Sequence, residues 1–191
     1  MRPSPLPYLL EDRSAIPTAS DFDDIYDRLF LRIAEASRDA ECAMTMIYDM
    51  GRRSARKRDS RHYERPPSAV LEFGTDGALG HVRLMHPPAL LSLPMNQYLR
   101  KTAIWGGSTS RRFRGSDGRE YRWSHRTVDG QEWTCVNGEN HLVAHYNLKP
   151  PGAPSYQVSG NVLTIYELYG HLAVELLASL TIMRHIAEHN L

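Results

Sequence analysis

The sequence contains few cysteines, and it has neither a long apolar run nor an excess of charge of one sign. Its two cysteines, Cys42 and Cys135, cannot form a disulfide framework, which favours a reducing compartment. The N-terminal segment lacks the apolar stretch of about 7–15 residues that is typical of a signal peptide. Nowhere do about 18 apolar residues follow one another, so no transmembrane helix is expected. We therefore expect an intracellular protein, cytoplasmic with a possible nuclear pool.

Charge balance limits the range of partners. The chain has 23 basic and 22 acidic residues, a net charge of +1. No global field therefore attracts it to nucleic acid or to an anionic membrane, and nucleic acid is not an expected partner. Any such attraction must come from a local patch.

Sequence signatures of catalysis are also lacking, because no nucleophile elbow, P-loop or paired-carboxylate motif occurs. The segment His185–His189 spells H-x-x-E-H, which on a helix would place both histidines on one face. No acidic residue follows it in the sequence to complete a metal site, and a helix C-terminus favours histidine electrostatically. We interpret the match as chance, and we expect no catalytic residue, metal ligand or cofactor.

Short runs rich in aromatic and β-branched residues are separated by four Asx-Gly dipeptides, at 76–77, 117–118, 129–130 and 137–138. Asx-Gly favours tight hairpins because both residues can take positive φ. No helical pattern lies between the runs, so a parallel βαβ sheet is not expected. The pattern predicts an antiparallel meander, with strands near 28–36, 42–50, 68–74, 78–85, 97–105, 110–115, 119–126, 131–136, 140–147 and 160–166.

The C-terminal segment has a different pattern. Between Leu168 and Ile186 apolar residues cover every helical direction, interrupted by Glu175 and Arg184. A helix that is apolar all round must be buried on all sides. This segment is too short and too interrupted for a bilayer, so a β-barrel that closes around it is the economical arrangement.

The segment 110–123, SRRFRGSDGREYRW, resembles a hairpin of fungal tubby-like proteins of unknown function, S-R-x-F-x-x-x-D-G-R-x-Y-x-W. The runs Leu142–Tyr146 and Val162–Tyr166, followed by the helix, support the resemblance. It covers roughly residues 22–190 and relates the chain to tubby C-terminal domains, phospholipid scramblases and LURP-one-related proteins. It implies a mainly β fold: an antiparallel meander closed into a roughly twelve-stranded barrel around a buried C-terminal helix. It transfers no function, because fold alone does not set function.

The domain organisation follows from these patterns. Residues 1–20 contain four prolines and little periodicity, so they are expected to form an extended arm that could be disordered. Residues 21–191 are expected to form a single barrel domain, with a basic loop insertion at 51–67 and a central helix at about 168–188.

Two clusters of basic residues are candidate ligand contacts. The loop 51–67 has seven basic and two acidic residues, a local charge of +5, whereas the remainder has 16 basic and 20 acidic residues, or −4. Such a loop could bind anionic lipid at about 1 kcal/mol per basic residue. The second cluster lies on the hairpin that carries the resemblance. The resemblance to tubby domains implies that cations on the barrel exterior could hold a phosphoinositide. The predicted lipid or phosphate contacts are Arg52, Arg53, Arg56, Lys57, Arg58, Arg61, Arg111, Arg112, Arg114 and Arg119.

Three functions remain open at this stage. The first is a non-enzymatic module that binds anionic membrane lipid or a phosphoinositide through these basic residues. The second is a protein-interaction or nuclear regulatory module, in which the basic loop is a localisation signal and a protein is the partner. The third is an enzyme with a pocket built by loops.

Overall fold

The computed structural model describes residues 6–39, 42–54, 65–74, 77–86, 89–102, 109–154 and 157–191. Over these residues the chain forms one antiparallel sheet of thirteen strands and a long C-terminal helix, so the predicted mainly β fold is confirmed. The strands are β1 (Tyr8–Asp12), β2 (Ser20–Asp24), β3 (Phe30–Asp39), β4 (Cys42–Asp49), β5 (Ala69–Gly74), β6 (Leu79–His86), β7 (Ala89–Pro94), β8 (Arg100–Lys101), β9 (Arg111–Arg114), β10 (Glu120–Val128), β11 (Gln131–Asn137), β12 (Leu142–Asn147) and β13 (Asn161–Ile165). The helices are α1 (Met95–Tyr98), a 3-10 helix (Glu167–Leu172) and α2 (Ala173–His189).

The sheet consists of two meanders joined at their ends. Strands β1 to β7 follow one another in order, as do β8 to β13, and β1 pairs with β13. The N-terminal segment is therefore part of the sheet, which differs from the arm predicted for residues 1–20. Tyr8 lies opposite Ile165, and Leu10 lies opposite both Leu163 and Asp24. The prolines that suggested an arm flank β1 and leave its hydrogen-bonding positions free of proline.

Helix α2 is buried on all sides, as its all-round apolar pattern predicts. It begins at Ala173, after the 3-10 helix, and its residues from Ala173 to Met183 are buried. Polar contacts join it to separate parts of the chain. Trp123 Nε1 of β10 donates to Ser179 Oγ (2.8 Å), and Arg184 of α2 donates to the carbonyl of Ala15 in the β1–β2 connection (3.1 Å). The sheet therefore curls around α2. Within the part of the chain that the structure describes, no helix is long and apolar enough to cross a membrane.

The predicted barrel closure is wrong. Strands β7 and β8 form the two edges of the sheet and do not pair with each other in the described residues. Between them the chain makes the single turn of α1, closed by the Leu99 N–H donating to the Met95 carbonyl (2.8 Å). Strand β8 has only two residues, already paired with β9, so it presents too short a ladder for β7. A seam remains between the two edges.

Most predicted strands lie near their observed positions, with three omissions and one change of type. Of the predicted strand 97–105, the first two residues lie in α1 and residues 100–101 form β8, while residues 103–105 lie outside the described residues. Strands β1, β2 and β7 were not predicted. Gly77, Gly118 and Gly130 take the positive φ expected of their hairpins. At the fourth dipeptide the residue with positive φ is Asn140. This turn is therefore longer than Asn137-Gly138 alone suggests.

Candidate ligand-binding site

A cavity of about 580 Å³ occupies the seam between the two edges of the sheet. Strands β6 and β7 line one side of it, β8 and β9 line the other, and α1 and the start of α2 complete it. Its volume falls in the range of about 300–1,000 Å³ that is usual for small-molecule sites. The cavity is a direct consequence of the open seam, because paired edge strands would fill this space with backbone.

Apolar side chains form the walls of the cavity. Leu84 of β6 and Phe113 of β9 are buried, and Leu91 and Leu93 of β7 are half-buried. Leu91 and Leu93 share one face of β7 because alternate residues of a strand point the same way. Leu90, on the opposite face, is 79% exposed. The walls therefore suit an apolar body such as an alkyl chain or a ring.

Three exposed arginines lie at the outer rim of the cavity: Arg100, Arg112 and Arg114. Arg100 and Arg112 face each other in the β8–β9 register, so two guanidinium groups start from adjacent positions. Arg112 lies 3.8 Å from Glu120, and both side chains are more than half exposed, so this ion pair is weak and easily displaced. The rim can thus receive an anionic group.

Two buried polar groups lie at the inner end of the cavity. Glu175, at 1% exposure, accepts a hydrogen bond at Oε2 from the Ser116 N–H (2.9 Å). Its Oε1 has no hydrogen-bond partner among the described residues, and neither does the hydroxyl of Tyr98, which is 4% exposed. Burial raises the pKa of Tyr98 well above its ordinary value, and the charge of Glu175 acts in the same direction. The Tyr98 hydroxyl is therefore neutral at physiological pH.

The β9–β10 turn holds the Ser116 N–H in place. The Gly118 N–H donates to the Gly115 carbonyl (2.9 Å), and Asp117 Oδ2 accepts from the Tyr121 hydroxyl (2.6 Å). Burial raises the pKa of Asp117, but the hydrogen bonds from Tyr121 and from the Arg119 N–H outweigh this effect and lower the pKa overall. A charged, anchored Asp117 thus rigidifies the turn that delivers the Ser116 N–H to Glu175.

The predicted basic contacts are divided by the structure. Arg112 and Arg114 line the cavity, whereas Arg119 is exposed on the β9–β10 turn, 3.9 Å from Asp117. Arg111 is not on the exterior, because it is 3% exposed and donates to the Leu191 carbonyl (2.9 Å). Burial lowers the pKa of its guanidinium group.

The basic loop contributes nothing to the cavity in the described residues. Arg52 is exposed, and Arg53 forms an ion pair with Asp23 of β2, a strand that does not line the cavity. The other predicted contacts of the loop, Arg56, Lys57, Arg58 and Arg61, lie outside the described residues.

Several groups of the cavity were missed at the level of sequence. Tyr98 lies in the segment 97–105, for which a strand was predicted, but it belongs to α1. Leu91 and Leu93 lie in β7, for which no strand was predicted. Glu175 carried a signal, since it is an acidic residue in a helix that is otherwise apolar all round. An acidic residue in such a position needs a partner or a ligand when it is buried.

The H-x-x-E-H segment has a different role. His185 Nε2 lies 2.7 Å from the Gly77 carbonyl, and its ring stacks on Phe73 with centroids 4.2 Å apart. Burial lowers the pKa of His185. This histidine is used in packing the C-terminal end of α2 against the β5–β6 turn.

Comparison with known proteins identifies a family for the chain. No curated protein and no solved structure matches the chain significantly. A family model described as a family of unknown function, DUF6593, matches residues 35–189, which is more than half of the chain. The matched segment begins within β3 and includes every element that lines the cavity. This chain belongs to the family of unknown function DUF6593.

Proposed function

We propose that this protein is a non-enzymatic binding module for an amphiphilic acid, whose apolar body enters the seam cavity while its acidic group meets the rim arginines. The observation that carries the proposal is the open seam, which presents a cavity of about 580 Å³ between apolar walls. Arg100, Arg112 and Arg114 give this cavity a cationic entrance.

The apolar walls and the arginines of the rim are both complementary to such a ligand. Each methylene group that leaves water for the cavity contributes about 0.8 kcal/mol. A carboxylate or phosphate can form charge-assisted, bidentate hydrogen bonds with a guanidinium group. Because the rim is exposed to solvent, we expect the arginines to contribute orientation and head-group selectivity more than affinity.

The resemblance to tubby C-terminal domains, phospholipid scramblases and LURP-one-related proteins stays part of this proposal. The curled sheet around a buried C-terminal helix supports it, with the seam as a local departure from a closed barrel. An anionic lipid or phosphoinositide as ligand was predicted for the basic residues, and we retain that chemistry for the two predicted residues at the cavity, Arg112 and Arg114.

The first test asks whether the apolar body enters the cavity. We expect a dansyl-labelled undecanoic acid to gain fluorescence with the parent protein and to be displaced by dodecanoate. Leu91→Trp places a larger side chain in the cavity and should reduce this gain. The matched control is Leu90→Trp on the opposite face of β7, which should bind like the parent. Equal binding by both variants, with melting temperatures near that of the parent, would contradict the proposal.

The second test concerns the head group. Dodecanoate and dodecyl phosphate should both displace the probe, whereas dodecyltrimethylammonium should not. Arg112→Glu should weaken displacement by either acid about tenfold, and Arg52→Glu, an equal charge change away from the cavity, should not.

If Leu91→Trp binds anionic liposomes as well as the parent does, the lipid contact lies elsewhere, and the basic loop 51–67 takes its place.

A further inference from the structure

We infer that the natural ligand carries a hydroxyl group at the end that lies inside the cavity, and that Glu175 and Tyr98 recognise this hydroxyl together. This inference rests on the proposed function and specifies its ligand class: an apolar acid with a hydroxyl group distant from its acidic group.

Glu175 indicates a hydrogen-bond donor on the ligand. Its carboxylate is 1% exposed and lines the cavity, and only Oε2 is bonded, to the Ser116 N–H. Oε1 is buried without a hydrogen-bond partner in the part of the chain that the structure describes. Leaving a buried acceptor unsatisfied costs about 1–3 kcal/mol, and more for a charged group. A donor that enters the cavity would remove this cost.

Tyr98 indicates an acceptor on the ligand within the same cavity. Its hydroxyl is buried without a partner among the described residues, it borders the same cavity, and the charge of Glu175 acts on it. A neutral phenol is both a donor and an acceptor, and its proton needs an acceptor that Glu175 does not supply at hydrogen-bonding distance. One small group that donates to Glu175 and accepts from Tyr98 would satisfy both.

A hydroxyl group meets this requirement and an ammonium group does not. An ammonium has three donors and no acceptor, so the Tyr98 proton would stay unsatisfied. Its charge would also have to leave water for apolar walls, which is costly. The charge of Glu175 does not require a cation, because Glu175 lies in the first turn of α2, where the helix dipole favours an anion. The Ser116 N–H adds to this stabilisation.

The positions of the charged groups orient the ligand. Arg100, Arg112 and Arg114 are exposed at the rim, whereas Glu175 and Tyr98 are buried at the inner end. The acidic group of the ligand therefore stays near solvent, and the hydroxyl enters first. The apolar walls between the two ends accept the connecting chain.

The experiment compares three probes that differ only at the inner end: dodecanoate, ω-hydroxydodecanoate and ω-aminododecanoate, together with the decanoate and tetradecanoate analogues to match length. Affinity is measured by displacement of the dansyl-labelled acid. In the parent protein we expect the hydroxy acid of the best length to bind about tenfold more tightly than the corresponding simple acid.

Tyr98→Phe is the decisive variant. Because the Tyr98 hydroxyl has no partner in the described residues, its removal should leave the melting temperature unchanged or raise it, while the preference for the hydroxy acid falls. Glu175→Gln keeps an acceptor for the Ser116 N–H and should reduce the same preference. The quantity compared in each variant is the ratio of its affinity for the hydroxy acid to its affinity for the simple acid, and this ratio should fall towards one.

The possible outcomes separate this inference from the proposed function. If the simple acid binds and the hydroxy acid shows no advantage at any length, the inference is wrong and the proposed function stands. Tighter binding of ω-aminododecanoate would also overturn it. If none of the acids binds, the proposed function fails and this inference fails with it.

Discussion

At the scale of single residues, neighbouring side chains of one strand have opposite roles. Arg111 is buried and donates to the Leu191 carbonyl, whereas Arg112 is exposed at the rim of the cavity. Their alternation follows directly from the strand period of two. Arg111 is therefore a structural contact, whereas Arg112 and Arg114 of the same strand are candidate ligand contacts.

Gly118 gives the residue-scale prediction. Its φ of +78° lies in the left-handed region, and a Cβ there would meet no atom closer than 3.9 Å. Gly118→Val should therefore destabilise the protein by about 1–2 kcal/mol through backbone strain alone, because a β-branched residue tolerates positive φ poorly. Chemical denaturation with circular dichroism measures this change.

Gly138 is a matched control for that prediction. It too has open space around a Cβ, but its φ lies outside the left-handed region. Gly138→Val should change the free energy of unfolding much less than Gly118→Val. Equal effects of the two substitutions would show that strain at Gly118 is not the cause.

At the scale of elements, α2 and the two edge strands determine what the fold can do. Helix α2 fills the interior with Leu176, Leu180 and their neighbours, which are buried in every direction. The same helix brings Glu175 to the inner end of the cavity. Strand β7 supplies the apolar wall and β9 the cationic rim, so the core element and the edges of the sheet form the site together.

The prediction for α2 concerns Leu176 and Leu180, which are 0% and 1% exposed. Leu176→Asp or Leu180→Asp should prevent folding or lower the melting temperature strongly, because an unpaired charge in an apolar core costs several kcal/mol. Natural domains have only about 5–15 kcal/mol of stability to lose. Leu168→Asp, in the preceding 3-10 helix and 78% exposed, is the control and should melt like the parent. A parent-like melting temperature for the core variants would contradict the buried helix.

At the scale of the whole molecule, the pairing of β1 with β13 joins the two meanders. Asp12, at the end of β1, is fully buried and accepts hydrogen bonds from Ser20 Oγ (2.5 Å) and the Tyr146 hydroxyl (2.7 Å). It thus connects β1 to β2 within one meander and to β12 of the other. Asp12 and Ser20 lie N-terminal to residue 35, where the family match begins, whereas Tyr146 lies within the match.

We therefore predict that a fragment of residues 35–191 does not fold cooperatively. It would lack β1, β2 and residues 30–34 of β3. This leaves the edges of the shortened β3 and of β13 unpaired and Tyr146 without its buried acceptor. A fragment of residues 6–191 retains both strands and should melt like the full chain. Thermal melts followed by circular dichroism compare the two. A cooperative transition of residues 35–191 near the parent melting temperature would show that the N-terminal strands are dispensable.

The sequence by itself determined the elements whose cause is local. Alternating residues predicted most strands, the Asx-Gly dipeptides predicted three glycine turns with positive φ, and all-round apolarity predicted the burial of α2. These features depend on spacing along a few residues, which a linear pattern records. The strands β1, β2 and β7 were missed because proline, aspartate and leucine runs lack clear alternation.

Only the tertiary structure decided the seam and therefore the site. Whether β7 meets β8 depends on the curl of the whole sheet and on the length of the last paired strand, and neither is a property of a short segment. The juxtaposition of Glu175 with the Ser116 N–H joins groups 59 residues apart in the chain. Such a contact requires that β10 to β13, the strands between the two groups in the chain, are paired in register and that α2 packs against them.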